Sequence, residues 1–330
     1  MARTKPKSQS NTTEQSPKET STALTPYSQN FEHHLIDHNV FPQMHHFQET
    51  GRWNDPCNLP EIKERLTVRR ASLSSQTYTD AEYDKFTAAY WSASSEAQVA
   101  SSVVPLIEGR NSQYLAGGVR FSNLAPLTDE TVSQAKPDTY YGARPESLDK
   151  RIRQDLEDQL IPSKDDSLPM APNFFLDVKG SGGSHAVAVR QACYDGAVGA
   201  RSINSLQSYQ PNQSVQKPVY NNNAYTITST YSNGSLGLFA SHPSEPSDPG
   251  GRPNYHMTPL GTYDIADNLR GFREGATVYR NARDWVKEKR EEMLSLANGR
   301  LLASNKRANE RSSLAIIGEE KEEKEEIEDN

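Results

Sequence analysis

The chain reads as an α/β (α+β) protein, a mixed central β-sheet flanked by helices with an N-terminal helical extension and a long C-terminal helix. Three observations predict this. Residues 172–179, PNFFLDVK, are a run of strong strand formers closed off by Pro172 and Gly180. Strand-like and helix-like stretches alternate, and strand–helix–strand crossovers call for a mixed sheet covered by helices. Asn233-Gly234 joins AYTITSTY at 224–231 to SLGLFASH at 235–242, a strong hairpin signal.

Composition bounds the fold and its partners. With 330 residues, 34% of them hydrophobic, the chain can build one sizeable core or at most two. Residues 1–26 are polar, lack apolar periodicity and are expected to be a disordered tail, 27–300 are expected to form a single domain, and 301–330 a flexible acidic tail. The net charge of -7 is uneven: residues 319–330 hold seven Glu and one Asp against two Lys. The body is close to balanced, which excludes a generic basic nucleic-acid coat and makes any phosphate contact local. Cys57 and Cys193 cannot make a disulfide framework and fit a reducing compartment. No apolar run reaches the roughly 18 residues of a membrane span, and no secretory signal opens the chain. The expectation is an intracellular protein, nuclear or cytoplasmic, neither secreted nor membrane-bound.

In chain order, the opening Ala2-Arg3-Thr4-Lys5 matches the start of a histone tail, which a four-residue match makes a coincidence. Phe31, Leu35 and Val40 mark a short amphipathic helix with His34 and His38 one turn apart. Five histidines crowd residues 33–46, but no Cys or carboxylate stands at ligand spacing to complete a zinc site. A short helix is expected near 60–66. Thr79 or Asp80 caps a longer one over 81–107, stopped by Gly109, with Glu96 inside it as an ordinary exposed glutamate. Residues 113–124 and 134–142 read as strands, and 145–160 as a helix with Pro at its first turn. Glycines 180, 182 and 183 turn the chain into a helix over 184–209. Gly196 and Gly199 within that helix imply close contact with the sheet. A strand near 255–260 precedes the last helix, expected from about Asp264. Its buried stripe is Ile265, Leu269, Phe272, Ala276, Tyr279 and Val286, with Arg280, Arg283, Lys287 and Arg290 facing water.

The chemistry gathers on residues 177–179. Side chains alternate along a strand, so Phe174, Leu176 and Val178 share one face and Phe175, Asp177 and Lys179 the other. A carboxylate and an ammonium on an otherwise apolar strand are costly to bury unless they are used. Asp138 lies in KPDTYYGA, on a strand that can neighbour this one. Two carboxylates and a backbone carbonyl, completed by waters, suit Mg²⁺ or Mn²⁺ better than zinc.

Pro137-Asp138, Asp177-Val178-Lys179 and Glu96 in a preceding helix resemble the PD-(D/E)XK nuclease superfamily, whose core is restriction-endonuclease-like. Gln191 and Tyr194 resemble the Gln-Tyr pair of its recombination-exonuclease branch, at a spacing one residue narrower. Over about 27–295 the chain looks like a fungal family of uncharacterised PD-(D/E)XK nuclease-like proteins, through phrases such as FEHHLIDHNVFP, SEAQVASSVVPLIEG, PDTYYGARPESL, RQACYDGAVGAR and GATVYRNARDW. Asp177 stands where that family more often carries Glu, which draws the carboxylate back by roughly 1.5 Å. The resemblance implies a metal-dependent nuclease acting on DNA or RNA. Asp138, Asp177 and the Val178 carbonyl would hold Mg²⁺ or Mn²⁺, with Glu96 as an outer ligand. Lys179 would offset transition-state charge, and Gln191 and Tyr194 would position the metal site or the scissile phosphate. Arg144, Lys150, Arg151, Arg153 and Arg190 would contact the nucleic-acid backbone. The alternatives are a catalytically inactive descendant that binds nucleic acid or protein, and an interaction protein unrelated to nucleic acid.

Overall fold

The structure, a computed structural model, describes residues 23–47, 51, 53–213 and 217–328, with 311–328 as backbone alone. The histone-like opening and most of the expected N-terminal tail lie outside the described residues. The elements are α1 (Phe31–Asp37), β1 (Val40–Phe41), α2 (Leu59–Leu66), α3 (Asp80–Ser92), α4 (Glu96–Gln98), a π-helical turn (Val99–Val103) and α5 (Val104–Glu108). Then come β2 (Leu115–Ala116), β3 (Thr139–Ala143), α6 (Lys150–Asp155), α7 (Glu157–Leu160), β4 (Met170–Lys179) and α8 (His185–Ser208). The chain ends through β5 (Thr226–Ser232), β6 (Ser235–Ser244), β7 (Asn254–Asp264) and α9 (Leu269–Glu328).

The strands form one mixed sheet in the order β1-β7-β6-β5-β4-β3-β2. Only β1/β7 and β4/β5 run parallel. The latter pair needs a crossover, and α8 supplies it, as the alternation of elements predicts. Phe174, Leu176 and Val178 pack into the core beneath α3, α5 and α9, whereas Phe175 joins the core under α8. The predicted division of β4 into two faces therefore holds. A Cβ on Gly199 would stand 2.7 Å from the Phe175 ring, and one on Gly196 would overlap the Ser241 hydroxyl. These glycines let α8 lie directly on the sheet. Asn233 and Gly234 adopt φ of 50° and 81°, the left-handed pair of a type I′ turn.

Several expectations are corrected. The helix expected over 81–107 breaks at 93–95. Ser95 Oγ accepts from Gln98 N at 3.3 Å while Gln98 Oε1 accepts from Ser94 N at 2.8 Å, a reciprocal cap that starts a new helix. The strands expected over 113–124 and 134–142 shrink to β2 and β3. Between them the chain forms an irregular lobe whose Phe121, Leu124, Leu127 and Val132 fill the α8-side core. Val40 belongs to β1 rather than to α1. The helix expected over 145–160 divides into a 3₁₀ turn (Pro145–Ser147), α6 and α7. The last helix starts at Leu269, not near Asp264, because β7 runs through to Asp264.

Arg280, Arg283 and Arg290 are buried rather than facing water. Arg280 Nε and Nη2 donate to the carbonyls of Ile107 and Leu106 at 2.8 and 3.0 Å, and Arg283 Nη1 donates to that of Glu108 at 3.1 Å. The guanidinium groups satisfy the orphan carbonyls at the C-terminal end of α5. The helical backbone of α9 continues to Glu328, through the segment expected as a flexible tail. Its Glu- and Lys-rich sequence has high helix propensity. Among the described residues no helix is long and apolar enough to cross a membrane.

Candidate active site

The antiparallel ladder of β3 and β4 pairs Thr139 with Leu176. Asp138 immediately precedes Thr139 at the end of that ladder and is a charged neighbour of Asp177. The Asp138 carboxylate turns back to the neighbouring backbone, where Oδ2 accepts the Val178 N–H at 2.8 Å. On the other side of β4, Asp177 pairs with Thr230 of β5. Asp177 is wholly buried, and neither carboxylate oxygen has a hydrogen-bond partner.

Lys179 projects from the same face as Asp177 and is 2% exposed. Its Nζ lies 3.3 Å from Glu96 Oε1 and 6.0 Å from the centre of the Tyr27 ring. Two local features bring Glu96 there. The Ser95 cap sets it at the first position of α4, and Gly180 lets β4 end directly under that helix start. A Cβ on Gly180 would come within 3.1 Å of the Glu96 backbone nitrogen.

A residue the sequence reading did not single out completes the cluster. Asp195 of α8 is buried, with Oδ2 unpartnered. It lies one helical turn beyond Gln191, whose Oε1 is also buried without a partner. The signal was a charged residue on the sheet-facing side of a helix rich in Ala and Gly. Burial, then the charges of Asp195 and Asp138, hold Asp177 well above the ordinary carboxylate range. Burial and Asp138 do the same to Asp195. Burial also raises Asp138, with the Val178 N–H and Lys179 pulling the other way. Buried carboxyl groups coupled in this way do not all ionise unless a cation joins them. The hydroxyls of Thr228 and Thr230 on the same face are likewise buried without partners. Orphaned oxygens concentrated in one place are what an ion with its waters satisfies.

The donor set limits which ion fits. Among the described residues, only His34, His38 and Asp129 form a group of three such side chains with ligand atoms all within 4.8 Å of one another. No trio drawn from Glu96, Asp138, Asp177 and Asp195 is that tight. One or two carboxylates supplemented by water is the habit of Mg²⁺, not of a fully caged ion.

No family model, curated protein or solved structure matches the chain.

The remaining expected site residues divide by place. Tyr194 packs edge-on against Phe31 at 6.2 Å, and burial pushes its hydroxyl up to about 12. It lines a cavity of about 320 Å³ with Phe121, Val132, Val198 and Arg201. Arg190 Nη1 donates to the Pro26 carbonyl at 2.8 Å, holding the segment that carries Tyr27. Arg144 stacks over Tyr114 at 4.4 Å, Arg151 bonds Asn212, and Arg153 bonds the Leu148 carbonyl. Arg144 and α6, which carries Lys150, Arg151 and Arg153, stand by the core cluster around Met170 at the start of β4. At about 3.3 Å per residue that is roughly 23 Å from Asp177. These four are not brought to the carboxylates, and Arg190 is engaged with the Pro26 carbonyl and Glu32 instead.

Proposed function

We propose that the chain is a divalent-metal-dependent nuclease of PD-(D/E)XK type, hydrolysing phosphodiester bonds of DNA or RNA. The observation that carries this reading is the Asp138 carboxylate on the Val178 N–H beside the buried Asp177, whose oxygens are unpartnered, with Lys179 on the same face of β4. Asp138, Asp177 and the Val178 carbonyl would hold Mg²⁺ or Mn²⁺. When bound, that ion supplies charge neutralisation on the phosphate and a more acidic water. Lys179 Nζ, dry and aimed by Glu96, offsets the negative charge that grows on the phosphoryl oxygens during in-line displacement. Glu96 serves as the ammonium's partner until substrate arrives. Burial and then the Asp195 charge raise the Asp177 carboxyl, and the Gln191 Oε1, one turn from Asp195, is a spare buried acceptor on α8.

The test is Mg²⁺-dependent cleavage of single- and double-stranded DNA and of RNA. The activity should fall at least about 100-fold in Lys179→Ala and in Asp138→Asn. A second reading, a non-catalytic module that binds nucleic acid or protein, is favoured by one observation. Lys179 and Asp177 are shut from solvent, with Tyr27 against the ammonium and most of the expected basic contacts at the far end of the sheet. Salt-sensitive binding without cleavage would support that reading instead.

A further inference from the structure

A second set of ligand atoms lies where α1 meets the lobe between β2 and β3, built from residues the nuclease reading does not use. The geometry points to a transition-metal site formed by His34, His38 and Asp129, taking an ion of the Zn²⁺ class.

His34 in α1 and His38 at its C-cap are four residues apart, and the two imidazoles come together with ring centres 4.3 Å apart. Asp129 reaches them from the lobe. Its Oδ1 lies 3.0 Å from His34 Nε2 and its Oδ2 lies 3.6 Å from His38 Nε2. With one atom taken from each residue, the three ligand atoms all lie within 4.8 Å of one another, so small side-chain shifts reach the roughly 3.3 Å donor spacing of a tetrahedral ion with bonds of 2.0–2.1 Å.

The surroundings orient the ligands as metal sites require. His38 Nδ1 lies 2.8 Å from the His34 carbonyl and donates to it, which leaves Nε2 as the free lone pair. The Thr131 hydroxyl and N–H both donate to Asp129 Oδ1, at 2.6 and 3.0 Å. Chiefly through the Thr131 hydroxyl, the Asp129 carboxyl is held down at about 2 and stays ionised. Two imidazoles and one carboxylate suit Zn²⁺, Co²⁺ or Ni²⁺ rather than Mg²⁺. With three protein ligands, the fourth position falls to water.

An ion here would do structural work. Thr131 and Ser133, next to the Asp129 ligand, pair with Leu24 through Leu24 N to Thr131 O at 2.7 Å and Ser133 N to Leu24 O at 2.8 Å. Leu24 leads directly to Tyr27, beside Lys179. Metal at His34 and His38 therefore pins both the lobe and the segment covering the lysine.

The test uses tag-free, chelator-stripped full-length protein titrated calorimetrically with Zn²⁺ and Co²⁺. One equivalent should bind with micromolar or tighter affinity, and the Co²⁺ form should show the visible absorption of four-coordinate cobalt. His38→Gln and Asp129→Asn, checked for folding by circular dichroism, should each weaken binding more than about tenfold. His46→Gln should leave it unchanged. X-ray absorption of the zinc form gives a readout independent of any variant and should find nitrogen and oxygen neighbours only. Absence of stoichiometric binding, unchanged affinity in both ligand variants, or sulfur in the zinc shell would each overturn the assignment.

Discussion

The Asp138 carboxylate accepts the Val178 N–H at 2.8 Å, so one oxygen of the proposed metal ligand is already engaged in closing the edge of the β3/β4 ladder. An amide oxygen can accept the same bond, but a methyl group cannot. Asp138→Asn should therefore fold with a thermal midpoint at or above that of the wild type. Asp138→Ala should lose about 1–2 kcal/mol in denaturant unfolding, the usual cost of an unsatisfied buried N–H. Both variants should be inactive, which separates the structural role from the chemical one.

Asp177 and Asp195 carry raised carboxyl pKa values in the native protein. The folded state then binds more protons than the unfolded one above about pH 4, and metal-free protein loses stability as pH rises through the folded values. Asp177→Asn and Asp195→Asn remove that loss. At pH 7.5 without metal, each variant should be more stable than the wild type, with the difference vanishing towards pH 4. Added Mg²⁺ should raise the wild-type midpoint and leave that of Asp177→Asn unmoved.

His242 and His256 behave in the opposite sense. Burial lowers them to about 4 and about 3, so both stay neutral in the fold. The unfolded chain takes up their protons first, and stability falls as pH drops from 6.5 towards those values. His242→Gln should remove about 3 kcal/mol of acid destabilisation by pH 4, seen as a flatter acid limb in pH-dependent unfolding.

Arg280 closes the carbonyl end of α5 from the middle of α9. Replacing it with Leu would strand the carbonyls of Leu106 and Ile107 inside the protein. A loss of about 2–4 kcal/mol is expected on chemical unfolding, against less than about 0.5 kcal/mol for Lys287→Leu on the half-buried side of the same helix.

What could be read from the sequence was local. The alternation that puts Asp177 and Lys179 on one face, the Asn233-Gly234 hairpin and the close approach at Gly199 all follow from spacing and residue type. The break before Glu96 was also written locally, as the Ser95-x-x-Gln98 capping pattern, but a long stretch of helix formers concealed it. Tertiary partners were not legible. The buried arginines of α9 answer carbonyls some 170 positions away. Asp129 meets His34 across 95 positions of sequence, so a search for neighbouring carboxylates could not find it. Asp195 was hidden among small residues whose role as a sheet-facing surface depends on the crossover itself.

The most direct test of the central claim is the anomalous scattering of Mn²⁺ in crystals of the full-length protein. A peak is expected within about 2.3 Å of carboxylate oxygens of both Asp138 and Asp177, lost in Asp177→Asn. Manganese density confined to His34, His38 and Asp129, with none between β3 and β4, would contradict it.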